Sequence, residues 1–182
     1  SGTAQFVRVF TELANYRVFD AKYSPVDASR IYFITRNGQL MTWKPGEAVV
    51  EALNISADVG VNSQATAYQL PGSEHWGLAS FAFHPDFANN GWVFVLYNGR
   101  QANENYTTSY VARYTLKQGA GALTFDPASK LVIISQPQMT NGESRGWLHH
   151  FGNLTFGPSD GYLYIGSGDG TLNGSNYFGL VP

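Results

Sequence analysis

Cysteine is absent from this 182-residue chain, which removes disulfide frameworks, thiolate nucleophiles and thiolate metal sites from consideration. Charge is scarce. Asp, Glu, Lys and Arg together make up 13% of the residues, about half the usual share, so neither a solvated helical bundle nor a disordered tail fits. The formal net charge is −2 and no run of Lys and Arg occurs. An electrostatic footprint on nucleic acid needs such clusters, and nucleic-acid binding is therefore not expected. No apolar stretch approaches the ~20 residues of a membrane-spanning helix. The sequence holds no His-Glu-x-x-His, no Gly-x-Ser-x-Gly and no P-loop. Its one glycine-rich run, Gly166-Ser167-Gly168-Asp169-Gly170, lacks the spacing and the following helix of a dinucleotide fingerprint.

What the chain does have is apolar and aromatic. Hydrophobic residues make up 43% and aromatics 15%, with 20 glycines. That mixture suits short strands and tight turns. Ile31-Tyr32-Phe33-Ile34-Thr35 predicts a strand, Asn37-Gly38 a hairpin turn, and Leu40-Met41-Thr42-Trp43 the returning strand. Lys44-Pro45-Gly46 turns again, and Val49 to Leu53 is a third strand. Leu78 to Phe83 is a strand broken by His84-Pro85-Asp86, because proline cannot donate to a ladder. Trp92 to Tyr97, Ser109 to Leu116 and Leu131 to Ser135 complete a second unit. Gly152 to Phe156, a Gly-Pro-Ser-Asp-Gly turn and Tyr162 to Gly166 begin a third. The Phe-x-Phe-His-Pro-Asp block and the Leu-Thr-Phe-Gly-Pro-Ser-Asp block lie roughly seventy residues apart and match in plan, which marks radial repetition. No helix is expected. The expectation is an all-β chain of about two and a half propeller blades: residues 16–70, 71–140 and the start of a third over 149–182. Blades of this number cannot close a ring, so association with remaining blades or with a second copy is expected.

The residues also carry a family likeness. His75-Trp76-Gly77-Leu78-Ala79-Ser80-Phe81-Ala82-Phe83-His84-Pro85-Asp86-Phe87 resembles the GLLGLAFHPDF signature of the glucose/sorbosone dehydrogenase family. Asn89-Asn90-Gly91, Val111-Ala112-Arg113-Tyr114 and Phe125-Asp126-Pro127 continue it. His149-His150-Phe151-Gly152-Asn153-Leu154-Thr155-Phe156-Gly157-Pro158-Ser159-Asp160-Gly161-Tyr162-Leu163-Tyr164, running on to Gly168-Asp169-Gly170, is similar to the family's H-x-G-G-R-L-x-F-G-P-D-G-x-L-Y and G-D-G. The likeness covers roughly residues 15–172. Asn153 stands where the family pattern has arginine, and Ser159 is an added residue in the turn.

The resemblance implies a six-bladed propeller that binds pyrroloquinoline quinone (PQQ) and calcium, oxidises an aldose at its anomeric carbon by hydride transfer, and works in the periplasm or outside the cell. It puts the proton-accepting histidine at His149, its orienting aspartate at Asp169 and a cofactor-facing polar residue at His75, where relatives carry glutamine. The calcium ligands and most basic cofactor residues of the family fall in later blades, so this chain alone is not expected to hold PQQ. Without the family, His149 is a loop histidine with an affinity suited to general base work, and Asp169 between glycines is equally a turn residue. His150 would point away from His149 in extended chain and is taken as structural. His84 and Asp86 are expected to cap a turn, and Asp160-Gly161 to form one. The sequons at Asn54, Asn105, Asn153 and Asn173 are taken as chance. The alternatives to an enzyme are a catalytically silent propeller that binds a protein or glycan, or a truncated chain that self-associates.

Overall fold

The computed structural model describes residues 10–59, 77–99, 108–119, 121–137, 139–140, 143–144 and 151–168. Nearly all regular structure among them is antiparallel β. The first sheet runs in sequence order: β1 (Val18–Ser24), β2 (Asp27–Thr35), β3 (Gln39–Trp43) and β4 (Val50–Asn54). The second repeats the plan with β5 (Gly77–Phe83), β6 (Trp92–Gly99), β7 (Thr108–Leu116) and β8 (Phe125–Pro137). β9 (Met139–Thr140) pairs with β10 (Glu143–Ser144), and β11 (Phe151–Phe156) with β12 (Leu163–Ser167). A single 3-10 turn at Thr11–Leu13 and a one-turn helix at Phe87–Asn90 are the helical elements among the described residues.

Strand alternation distributes the apolar residues over two faces. In the first sheet Tyr32, Ile34, Leu40 and Leu53 face the second sheet. They meet Phe81, Val93, Val95, Tyr97, Ala112 and Tyr114 there. On the opposite face Ile31, Phe33, Met41 and Trp43 pack under Leu13 and Tyr16. The second sheet does the same: Ala82, Phe94, Leu96 and Val111 face β11 and β12, where Leu154, Phe156, Leu163 and Ile165 cover them. A strand buried on both faces must read as a continuous apolar run, as Trp92 to Tyr97 does. Each such side chain contributes roughly 1.5–3 kcal/mol by leaving water.

The turns carry the sequence signals. The Asn37-Gly38 hairpin forms, but as a three-residue loop: Thr35 pairs with Gln39, and only Gly38 takes a positive φ, 92°. A two-residue type I′ turn would need both central residues left-handed. Gly38 is also where Ile55 N–H returns, 2.8 Å from its carbonyl, and a Cβ there would lie 2.8 Å from Ser56 N. The predicted turn after β5 is the short helix, closed by Gly91 at φ 62°.

Strand β1 has no counterpart in the predicted strands, which began at Ile31. It is mostly exposed, and alternates Asp20 and Lys22 with Phe19, Ala21 and Tyr23, so it lacks the apolar signature. A repeat marks it nonetheless. Pro25 follows β1 as Pro85 follows β5 and Pro158 follows β11. The backbone repeats too. Each of these three first strands carries one extra, unpaired residue at the same place: Phe19 between Val18 and Asp20, Ala79 between Leu78 and Ser80, and Gly152 between Phe151 and Asn153. Asp20, Ser80 and Asn153 are therefore equivalent positions, each the first residue after a β-bulge.

Candidate active site

The two four-stranded sheets and the β11–β12 pair meet through their first strands: β1 lies against β5, and β5 against β11. β5 and β11 run the same way, since Ser80 meets Asn153 and, further along, the His84 ring meets Phe156 at 5.4 Å. Their starting ends therefore share one rim. The β2–β3 turn joins that rim, because Leu78 N–H donates to the Arg36 carbonyl at 3.0 Å.

Gly77 makes this approach possible. Its φ is 96°, and a Cβ there would stand 2.0 Å from the Arg36 carbonyl oxygen. The Arg36 guanidinium lies over the Phe19 ring at 4.0 Å. One cation on one aromatic face thus sits at the rim between the first two sheets.

Below the rim a polar cluster joins all three first strands. Ser80 is 1% exposed. Its Oγ lies 3.1 Å from Asp20 Oδ2, 3.1 Å from Asn153 Oδ1 and 3.1 Å from the Leu154 amide, which donates to it. A hydroxyl has one proton to give, and the ionised Asp20 is the stronger acceptor. Turning the Asn153 amide so that Nδ2 faces Ser80 satisfies every partner, since amide orientation is an assignment made from the network. Lys22 pairs with Asp20 and lies over the Phe81 ring at 4.6 Å.

The sequence-predicted site residues His75, His149 and Asp169, and His150 with them, lie outside the described residues. In the sequence His75 stands two residues before Gly77, His149 two before Phe151, and Asp169 directly after Gly168. Phe151 pairs with Ser167.

The turn residues behave as turn residues. His84 Nδ1 accepts from Asp86 N–H at 3.0 Å and lies 2.8 Å from Asn90 Nδ2, while the ring packs edge-on to Trp92 at 5.3 Å. Two donors on Nδ1 leave the proton on Nε2. Asp160 accepts from Tyr162 N–H at 3.0 Å and from the Tyr164 hydroxyl at 2.7 Å. The Tyr164 bond, then the Tyr162 amide, hold its carboxyl below the usual range, and the same bond raises the Tyr164 hydroxyl.

The model of the family described as Glucose / Sorbosone dehydrogenase matches residues 23–176. The chain belongs to the glucose/sorbosone dehydrogenase family. Solved structures agree on the fold. A glucose dehydrogenase matches at TM-score 0.59 and 19% identity over 85% of this chain and 39% of its own. The soluble aldose sugar dehydrogenase of Escherichia coli in its apo form matches at TM-score 0.58 and 21% identity, over 86% of this chain and 41% of its own. The PQQ-bound aldose sugar dehydrogenase of Streptomyces coelicolor matches at 0.54 and 15%, over 85% and 41%. The likeness is one of fold, and it makes these sheets blades of a β-propeller. The chain spans about two fifths of the length of these structures.

Measured against the cofactor of the Streptomyces protein, the described rim is a partial fit. A planar quinone bearing several carboxylates needs cations and a flat apolar face, and Arg36 over Phe19 offers one of each. Among the described residues no cluster of three His, Cys, Asp or Glu could hold a metal ion, and no helix is long and apolar enough to cross a membrane.

Proposed function

We propose that the protein carrying this chain is a PQQ-dependent dehydrogenase that oxidises an aldose at its anomeric carbon. The observation that supports this most is the family match over residues 23–176, whose two most specific motifs fall at the starts of β5 and β11, the strands that share one rim. In this reading His149 removes the proton of the anomeric hydroxyl and holds it on one imidazole nitrogen. Asp169 accepts a hydrogen bond from the other nitrogen, which fixes the tautomer and stabilises the charged ring. His75 borders the cofactor. When bound, the quinone supplies the acceptor for the hydride, and calcium, held by residues of other blades, polarises it. Arg36 and Phe19 suit one edge of the quinone.

The same reading takes residues 16–70 and 71–140 as two blades and 149–182 as the start of a third. It assigns the protein to the periplasm or the extracellular space, which cell fractionation tests. The open blade faces are closed by further blades, or by a second copy, which light scattering on the purified protein distinguishes.

The decisive experiment reconstitutes the protein with PQQ and calcium and follows dye-linked oxidation of aldoses. His149→Ala lowers kcat by about 10²–10⁴, the usual loss of a general base, and His150→Ala has a small effect. A dead His150→Ala beside an active His149→Ala would move the assignment by one residue. Aldose binding without turnover in a PQQ-loaded protein would favour a silent glycan-binding propeller, the reading that the replacement of arginine by Asn153 supports.

A further inference from the structure

Asn-Gly occurs among the described residues at Asn37, Asn90 and Asn98, and the dipeptide carries a chemistry of its own. The glycine nitrogen can close on the side-chain carbon of the asparagine to form a five-membered succinimide. Glycine favours this ring, because no Cβ crowds the attacking nitrogen and the backbone turns freely. The reaction needs a free side chain, a glycine N–H that can leave its hydrogen bond, and room to swing. The three sites differ in each respect.

Asn90 is held at both ends of its amide. Its Nδ2 lies 2.8 Å from His84 Nδ1 and its Oδ1 accepts from Trp92 N–H at 2.9 Å. Gly91 N–H donates to the Phe87 carbonyl at 2.8 Å. Asn98 is 3% exposed, and its Oδ1 accepts from the Ser109 hydroxyl at 2.6 Å. Gly99 is a rung of the β6–β7 ladder, and a Cβ there would stand 2.3 Å from the Asp58 carbonyl oxygen. Asn37 is different. It is exposed in the loop between β2 and β3, and among the described residues its side chain makes no hydrogen bond. Gly38 N–H donates to the Thr35 carbonyl at 3.2 Å, the long limit of such a bond.

We propose that Asn37 is a site of spontaneous deamidation at the rim. The bond that forms joins Gly38 N to Asn37 Cγ. The bond that breaks is Cγ–Nδ2, and ammonia leaves with the Gly38 amide proton. Water then opens the ring. Attack at Cγ gives aspartate, and attack at the main-chain carbonyl gives isoaspartate, whose backbone is one carbon longer. Either product puts a carboxylate next in the chain to Arg36. The lengthened backbone falls between two anchors: the Arg36 carbonyl accepts from Leu78 N–H at 3.0 Å, and the Gly38 carbonyl from Ile55 N–H at 2.8 Å. Gly38 has no slack, since a Cβ there would lie 2.8 Å from Ser56 N. Isoaspartate therefore gives up an anchor and loosens the turn against β5 or against the segment after β4, whereas aspartate keeps both. The proposal is independent of the dehydrogenase reading.

The test ages the whole purified protein in mildly acidic and mildly alkaline buffer and follows the three asparagines by peptide mapping with mass spectrometry. Asn37 converts to aspartate and isoaspartate, faster in alkali, because the attacking nitrogen must lose its proton. Asn90 and Asn98 convert at least about tenfold more slowly, since each must first release further hydrogen bonds. Asn37→Gln, which would need a larger ring, stays intact at residue 37. In urea the Asn37→Asp variant unfolds with the parent, and the isoaspartate fraction of aged protein unfolds at lower urea. An intact Asn37, or equal rates at the three sites, overturns the proposal. Isoaspartate protein that unfolds with the parent overturns the loss of the anchor.

Discussion

Replacing Gly77 by alanine tests how the rim is held together. The substitution adds one methyl and costs in two separable ways. The first is conformational: φ at Gly77 is 96°, and an L-residue held in left-handed backbone loses roughly 1–2 kcal/mol. The second is steric. The added Cβ stands 2.0 Å from the Arg36 carbonyl oxygen, so the turn and the strand must part by more than about 1 Å to reach ordinary contact. The bond from Leu78 N–H to that oxygen is 3.0 Å long and does not survive such a movement. Its loss, with Leu78 buried and Arg36 half-buried, adds about 1–3 kcal/mol. The expected total is about 2–5 kcal/mol, a large share of the ~5–15 kcal/mol that holds a typical domain. Gly46 supplies the control. Its φ is 84°, and a Cβ there meets nothing within 4 Å, so Gly46→Ala isolates the conformational part. Urea unfolding of both variants, read at constant m-value, should place Gly77→Ala well below Gly46→Ala. Equal losses would show that the approach of Arg36 to β5 has no energetic weight.

Acid sensitivity is expected at Asp27, whose pKa is lowered to about 2 by the Ser29 hydroxyl, the Ser29 amide and Lys44, in that order. A depressed carboxyl stabilises the fold above its unfolded value of ~4 and loses that contribution as pH falls towards 2. Asp27→Asn should flatten the thermal-stability profile between those limits, and an unchanged slope would contradict the assignment. At the alkaline end, Tyr97 and Tyr114 are each 1% exposed, and burial, with Asp58 adding to it, raises both hydroxyls well above the ordinary value. Their stabilising contribution is complete below pH ~10 and is lost above it. Absorbance titration should show them ionising only in step with unfolding, and early, non-cooperative ionisation would refute their burial.

Much of the fold was legible because burial on both faces writes itself into sequence. Trp92 to Tyr97 could be read as a strand since every residue of it needs an apolar neighbour, and Asn37-Gly38 as a turn since only glycine tolerates what Gly38 does. Strand β1 was not legible, because its exposed and polar residues remove the alternation by which strands are recognised. The loop size at Asn37 depended on where Gln39 paired, which no local propensity states. For the candidate site, motif likeness pointed to His75, His149 and Asp169, which lie outside the described residues. The rim's physical detail did not come with it. Gly77 reads as part of a signature, and its closeness to Arg36 is a contact between residues about forty apart in the chain. The meeting of Ser80 with Asn153 was hidden for the same reason: the two residues stand 73 apart in the chain.

The repeated bulge has a consequence for how such a protein changes over time. In an unbroken strand an inserted or deleted residue reverses the facing of everything beyond it. A residue already outside the ladder absorbs that reversal, so the segment before Phe19, Ala79 or Gly152 is uncoupled from the segment after it. The later segments keep Pro25, Pro85 and Pro158 at matching places. Three residues before the bulges stand Tyr16, Trp76 and His149, an aromatic phenol, an indole and an imidazole. Each first strand thus joins two segments whose side-chain facing is set independently on either side of the bulge.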